Sequence, residues 1–301
     1  MMSRAAASDV TPLTLGTVQL GMDYGLVASS TRPDDAAVEV MLDRAWAAGI
    51  RAFDTAPVYG DAETRLGAWI AATRRRPFVV SKLAPLPSPL PDDIAAHVGA
   101  AIAASLDRLG IDRLDGYLVH RVADIEIPGV ADALRAAVEA GRIGGFGVSV
   151  YAPDELERAL AIAGLTMAQI PVSLADQRFA RSGALNAAAA RGVTVFARSV
   201  YLQGVLLLTP EALPPVLAPL AEPLRAFRQL AATAGLAVNA LALHAVLDRA
   251  PIASAVVGVA TPAQLDALLA AWRTTVPRAL LDEARVLFAG LPEAVLDIRR
   301  W

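Results

Sequence analysis

The chain has no cysteine, one lysine and three histidines among 301 residues. Without cysteine there is no disulfide framework and no thiolate metal site. Histidine occurs only at positions 97, 120 and 244, too sparse for a histidine-based metal centre, so no metal is expected. Aromatic residues make up 5%, and the high hydrophobic content comes largely from alanine and leucine. Neither sign of charge dominates: the formal net charge is −3, which excludes a broad basic surface for nucleic acid. No apolar run reaches the roughly eighteen residues that a membrane-spanning helix needs. The first residues, MMSRAAASDV, lack the apolar core of a signal peptide. These absences predict a soluble, cytoplasmic protein with no nucleic-acid or membrane partner.

What is present is an alternation. Short apolar runs predict strands at 13–17, 51–54, 78–82, 115–120, 143–149, 167–171, 193–198 and 255–258. Helical patterns fall between them at 33–48, 61–72, 91–109, 130–140, 154–163, 183–191, 222–248 (broken near Gly235) and 262–271. Asp61 is placed as an N-cap. Pro33, Pro153 and Pro262 stand at or near helix starts, where a missing N–H does little harm. Gly49, Gly110, Gly141 and Gly192 follow helices, as C-caps prefer. Eight strands alternating with helices predict an α/β fold in which a parallel sheet closes into a (β/α)8 TIM barrel. Residues 1–301 read as one domain, with 1–11 a flexible tail. Two proline-rich stretches, 84–91 and 209–223, read as loops following strands.

Lys82 is the only lysine, and every other basic side chain is arginine. Arginine stays protonated and is a broad planar fork, whereas lysine is a compact charge whose pKa shifts on burial. Lys82 ends the run FVVSK. Asp54, His120 and Arg198 also end strands, and barrel enzymes carry their chemistry at that end. Tyr59 follows Asp54 by five residues, in DTAPVYG. A phenol with a pKa near ~10 is a poor acid at neutral pH. A neighbouring ammonium lowers that value, and a carboxylate holds the ammonium charged and oriented. His120 can hydrogen-bond the phenol or a substrate oxygen. The four make a general acid aimed at a carbonyl oxygen. Each has a plainer reading when taken alone: a buried structural histidine, a rim tyrosine, a capping aspartate, and a lysine left by chance where codon bias removed the others. Lys82 could also serve as a Schiff-base nucleophile in an aldolase-type reaction.

The ordered motifs FDTAPVYG (53–60), VSKL (80–83), YLVHR (117–121), GFGVS (145–149) and VVGVATPAQL (256–265) span most of the chain. Together they resemble the aldo-keto reductase family, and LGTVQLGMDYG (15–25) resembles a bacterial branch of it. The resemblance implies a reversible, NAD(P)H-dependent reduction of an aldehyde or ketone. Asp54, Tyr59, Lys82 and His120 would be the catalytic tetrad, with Tyr59 the proton donor. It implies NADP, with NAD as the other option, bound without a Rossmann fold, and no GxGxxG follows the first strand. Ser149 and Gln169 would hold the carboxamide, with Thr17 and Asp54 near the nicotinamide ribose. Arg198, Ser199, Leu202, Gln203 and Gly204, in RSVYLQG, would lie in the loop that wraps the pyrophosphate. Gly258, Val259, Thr261 and Gln264 would lie at the adenosine end. Departures from the family pattern are Val150 in place of asparagine, Arg198 in place of a stacking tyrosine, and no basic residue between Gly258 and Trp272. Some family members hold cofactor but turn over slowly in a regulatory role, which is the other reading the resemblance allows. The expected partner is a small-molecule carbonyl substrate, and the assembly a monomer or small homo-oligomer. Gln177 and Arg178 either line the site or begin a solvated helix. Trp301 either closes over the mouth or trails free.

Overall fold

A computed structural model describes residues 10–25 and 32–301. Eight parallel strands close in sequence order, β1 (Leu13–Gly16), β2 (Ala52–Asp54), β3 (Phe78–Leu83), β4 (Gly116–Val119), β5 (Phe146–Ser149), β6 (Leu165–Pro171), β7 (Thr194–Arg198) and β8 (Ile252–Gly258). Pairing of Leu13 with Ala255 and of Gly16 with Gly258 joins the last strand to the first. The (β/α)8 barrel anticipated from the alternation is therefore present, with strand ends shifted by one to three residues.

Alternation along each strand sorts the side chains. Ala52, Val80, Leu118, Met167 and Phe196 cluster with Phe78 in a small core inside the barrel. Successive strand side chains point to opposite faces, so residues two positions further on return to the interior. Those residues are Asp54, Lys82, His120, Gln169 and Arg198. One register rule thus lifts five polar side chains into a ring above an apolar plug. The opposite faces of the strands pack against the helices in the largest core cluster, which holds Leu15, Phe53, Val79, Tyr117 and Val148.

The helices begin where short polar side chains satisfy free N–H groups. Asp34 accepts from Ala37 N at 2.8 Å, and Asp93 accepts from Ala96 N at 2.9 Å. Asp61 holds the N-cap position of Ala62–Thr73, but its side chain does not cap. It pairs instead with Arg32 and Arg65. The helical stretch expected at 222–248 with a break near Gly235 is indeed two helices, Ala221–Thr233 and Val238–Leu247, parted at Gly235 with φ +66.

Two features were not anticipated. Helix Arg278–Leu287 follows the eight repeats and packs on Val238–Leu247. The stretch expected as an open loop at 209–223 folds into 3-10 turns, Pro210–Ala212 and Pro215–Leu220. Leu217 and Leu220 join Leu202, Leu206, Phe227, Leu281 and Phe288 in a second core. Residues 1–9 of the expected tail lie outside the described residues. Thr11 is tied down: its hydroxyl donates to Leu13 O at 2.8 Å and accepts from Arg51 N at 3.3 Å. Among the described residues no single helix is long and apolar enough to cross a membrane.

Candidate active site

At the carboxyl end of the barrel Asp54, His120, Gln169 and Arg198 of this ring line a cavity of about 560 Å³. Lys82 is wholly buried. Its ammonium donates to Asp54 Oδ1 at 2.7 Å and to Thr55 O at 3.0 Å. The other carboxylate oxygen, Oδ2, accepts from Gln169 Nε2 at 2.7 Å. An ion pair taken out of water holds only when its remaining hydrogen-bonding capacity is met, which Thr55 and Gln169 do here.

Tyr59 and His120 lie beside this pair. Their rings meet edge to face, with centroids 6.0 Å apart, and Lys82 Nζ sits 4.8 Å from the Tyr59 ring centroid. Backbone closeness fixes Tyr59. A Cβ on Gly21 would stand 1.9 Å from Tyr59 O, and a Cβ on Gly60, at φ +60, would stand 2.3 Å from Gly21 O. The two glycines therefore let the turn after β2 press against the turn after β1, which aims the phenol inward.

Electrostatics differ from the sequence-based expectation at one point. Burial raises the Tyr59 pKa above its ordinary 10.0; the Lys82 charge pulls it down, and Asp54 pushes it up again. The net direction is upward, with desolvation by burial the largest cause. Lys82 is also shifted upward: burial lowers its pKa, but Asp54 and Tyr59 together more than offset that. His120 is pushed down to about 4 by burial and by the Lys82 charge. At neutral pH the site therefore holds a protonated phenol, an ammonium and an uncharged imidazole.

Thr17, Asp54, Ser149, Gln169, Arg198, Ser199, Gln203, Gly204, Gly258, Val259 and Gln264 all line the cavity. Two of the expected cofactor residues do not. Leu202 is buried in the second core, drawn there by Leu206 and Leu217. Thr261 is the N-cap of helix Pro262–Arg273 and accepts from Gln264 N at 3.2 Å. Gln169, expected to face a carboxamide, has its amide N–H on Asp54.

Gln177 and Arg178 do not reach the cavity. Gln177 Nε2 donates to Leu174 O and to Arg285 O in a C-terminal helix, and Arg178 forks onto Asp176 and reaches Glu293 at 3.3 Å. Trp301 packs on the second core rather than over the mouth. The segment before it does reach the rim, where the Arg299 guanidinium lies 4.5 Å from the Tyr151 ring centroid.

Gln19, Tyr24, Tyr151, Tyr201 and Asn239 also line the cavity and had not been singled out. Tyr24 and Gln19 lie within the quoted motif LGTVQLGMDYG, and Tyr151 directly follows GVSV, so proximity to a motif was the available signal.

A nicotinamide dinucleotide fits these walls by two observations. Gln19 Oε1 and His120 Nδ1 are buried without a partner, leaving one acceptor and one ring nitrogen for a ligand. In the cavity wall Ser199 and Gln203 hold positive φ of 58 and 55. Strain of this kind in side-chain-bearing residues persists where a site uses it.

Comparison with known proteins agrees with the geometry. The profile described as the Aldo/keto reductase family matches residues 12–283. Aldo-keto reductase str7 of Strobilurus tenacellus is 33% identical over 202 residues, covering 64% of this chain and 58% of its own. D-threo-aldose 1-dehydrogenase of a Pseudomonas species is 32% identical over 205 residues, covering 58% of this chain and 62% of its own. The match thus spans about three-fifths of the length of these relatives. A solved aldo-keto reductase from Bacillus halodurans, in its holo form, shares the fold with a TM-score of 0.78 at 22% identity, over 97% of this chain and 96% of its own.

Proposed function

Because the chain belongs to the aldo/keto reductase family, we propose that it is an NAD(P)H-dependent oxidoreductase that reduces an aldehyde or ketone to the alcohol, with Tyr59 as proton donor. The reading also places it in the cytoplasm, acting on a small molecule. The observation that carries it is the buried Lys82–Asp54 pair beside Tyr59 and His120 at the floor of the cavity.

A nicotinamide held by the cavity walls would supply the hydride for the carbonyl carbon. The chain's own residues manage the oxygen. Tyr59 gives its proton to the oxygen as negative charge develops there. Lys82 stabilises the phenolate left behind, and Asp54 keeps Lys82 charged and aimed. His120, neutral at working pH, hydrogen-bonds the same oxygen and orients it. A fixed, water-poor arrangement of this kind does not have to reorganise during the reaction. The imine-forming alternative for Lys82 finds no support, since the amine is held as an ammonium by Asp54 and Thr55 O.

The sign of the Tyr59 shift gives a pH prediction. A proton donor works only while protonated, so reduction is lost as pH rises through its pKa. That pKa is raised above 10.0. Reduction, followed as kcat/KM, is expected to be flat between about pH 6 and 9 and to fall only beyond about 10. Alcohol oxidation needs the phenolate and rises over the same range. A reduction limb titrating between about 7 and 8 would count against Tyr59 as donor. Sustained steady-state turnover also separates a reductase from a slow cofactor-holding protein.

A cofactor preference draws its support from the far wall. Gly258, Val259, Ala260, Gln264, Ala267 and Leu268 form it, with no basic side chain among them. Gln264 Oε1 is committed to Ala260 N at 2.7 Å. A 2′-phosphate at that wall would meet no cation, so we propose that NADH is bound at least as tightly as NADPH. Titration of both by fluorescence quenching tests this, and NADPH binding tenfold tighter than NADH contradicts it.

A further inference from the structure

A buried hydrogen bond ties two parts of the site together from behind the sheet. Lys82 points into the barrel, so its neighbour Ser81 points out, between Val79 and Leu83, which pack against the helices. Ser81 is wholly buried there, and its hydroxyl donates to Glu63 Oε1 at 2.5 Å. The other carboxylate oxygen of Glu63 accepts from Arg108 Nε at 2.7 Å. Glu63 is itself 1% exposed. It lies in the first turn of helix Ala62–Thr73, shortly after Tyr59 in the chain.

Local stability does not ask for a carboxylate at this depth. An acid favours a helix start from the surface, and an apolar side chain would fill the space behind β3 without burying a charge. What the pair does is close a circuit. From Ser81 the chain passes to Lys82, whose Nζ sits 4.8 Å from the Tyr59 ring centroid. From Tyr59 the chain turns into the helix, with Ala62 N donating to Tyr59 O at 3.2 Å, and reaches Glu63, which returns to Ser81. Arg108 fixes the circuit to helix Ile94–Leu109. The two helices meet backbone to backbone there, since a Cβ on Gly67 would stand 2.4 Å from Arg108 O. The helix entered through Tyr59 therefore cannot slide along the strand that carries Lys82 without breaking a buried hydrogen bond.

We infer that Glu63, acting through Ser81, is a positioning residue that sets the separation between the Tyr59 phenol and the Lys82 ammonium. Neither Glu63 nor Ser81 lines the cavity, so neither touches the reacting atoms. The inference rests on the reductase reading for its effect on rate, but not for its effect on geometry. A proton donor and the cation that stabilises its conjugate base must be held in register, and a displacement of about 1 Å caused by a remote substitution can cost about 10²-fold in rate.

The sole lysine makes the geometry measurable. Protein labelled with carbon-13 at lysine Cε gives a single lysine resonance, that of Lys82, shifted by the Tyr59 ring beside it. Ser81→Ala removes the hydroxyl, and Glu63→Leu removes the carboxylate while filling its space. Both should move the resonance towards that of free lysine in protein that remains folded by circular dichroism. Single-turnover reduction of 4-nitrobenzaldehyde is then followed in protein saturated with NADH or NADPH, whichever binds tighter. Its rate should fall by about 10- to 100-fold in either variant, while the Kd of the nicotinamide changes less than about twofold. In the Tyr59→Phe background the same substitutions should slow the residual reaction by less than about twofold, because both changes act through one contact. A change confined to overall stability would not behave this way. A lysine resonance that stays in place in both variants overturns the inference. So does an unchanged rate, or a fall by the same factor with and without the Tyr59 hydroxyl. If wild type reduces no aldehyde while the resonance moves in both variants, the positioning stands and the reductase reading falls.

Discussion

Tyr59→Phe should reduce kcat/KM for carbonyl reduction by about 10²- to 10⁴-fold, the contribution of one positioned proton donor. This corresponds to about 3–5 kcal/mol of transition-state stabilisation. The substitution removes a single oxygen and keeps the ring that meets His120 edge to face. Lys82 retains Asp54 Oδ1 and Thr55 O as acceptors, so no buried charge is stranded. Thermal stability should therefore change little, and NADH should still quench protein fluorescence on binding. Loss of turnover with intact folding and cofactor binding is the expected pattern. A variant within tenfold of wild type would show that another group delivers the proton.

Lys82→Met should be the most destabilising single change at the site. It leaves Asp54, 4% exposed, with Gln169 as its hydrogen-bond donor and no cation. Removing one member of a buried ion pair typically costs about 3–5 kcal/mol, because the survivor must stay charged without a partner or take up a proton. For a chain of this size that lowers Tm by about 5–8 °C. The double variant Lys82→Met/Asp54→Asn removes both charges and should recover much of the loss while remaining inactive. Scanning calorimetry of the four proteins in this cycle measures the coupling. If Lys82→Met melts with wild type, the pair is not the buried salt bridge described here.

Much of this site was legible because strands alternate. RAFD, FVVSK, YLVH and VTVFAR each end so that a polar residue falls two positions beyond an apolar one that fills the barrel, and in MAQIP Gln169 stands in the same relation to Met167. Strand ends by themselves grouped Asp54, Lys82, His120 and Arg198, whereas Gln169 was expected at the site only through the family resemblance. The partners of those residues were not legible. Gln169 and Asp54 are 115 residues apart, and their hydrogen bond exists because barrel closure sets them across one narrow floor. The stack of Arg198 and Arg299 on Tyr151 likewise joins strand, loop and C-terminus. Leu202 looked like a pyrophosphate-loop residue by its motif, yet the second core takes its side chain.

Sequence by itself determined which residues would share the mouth, since the period of a strand and the order of a parallel barrel are local properties repeated eight times. It also determined that one amine, Lys82, stood among arginines. Only the tertiary structure decided how those groups are charged. Depth of burial and the nearness of Asp54 keep Tyr59 protonated, whereas the bare presence of an ammonium pointed the other way. The balance turns on how much water reaches each group and which carboxylate stands beside it, and those are set by packing across the whole barrel.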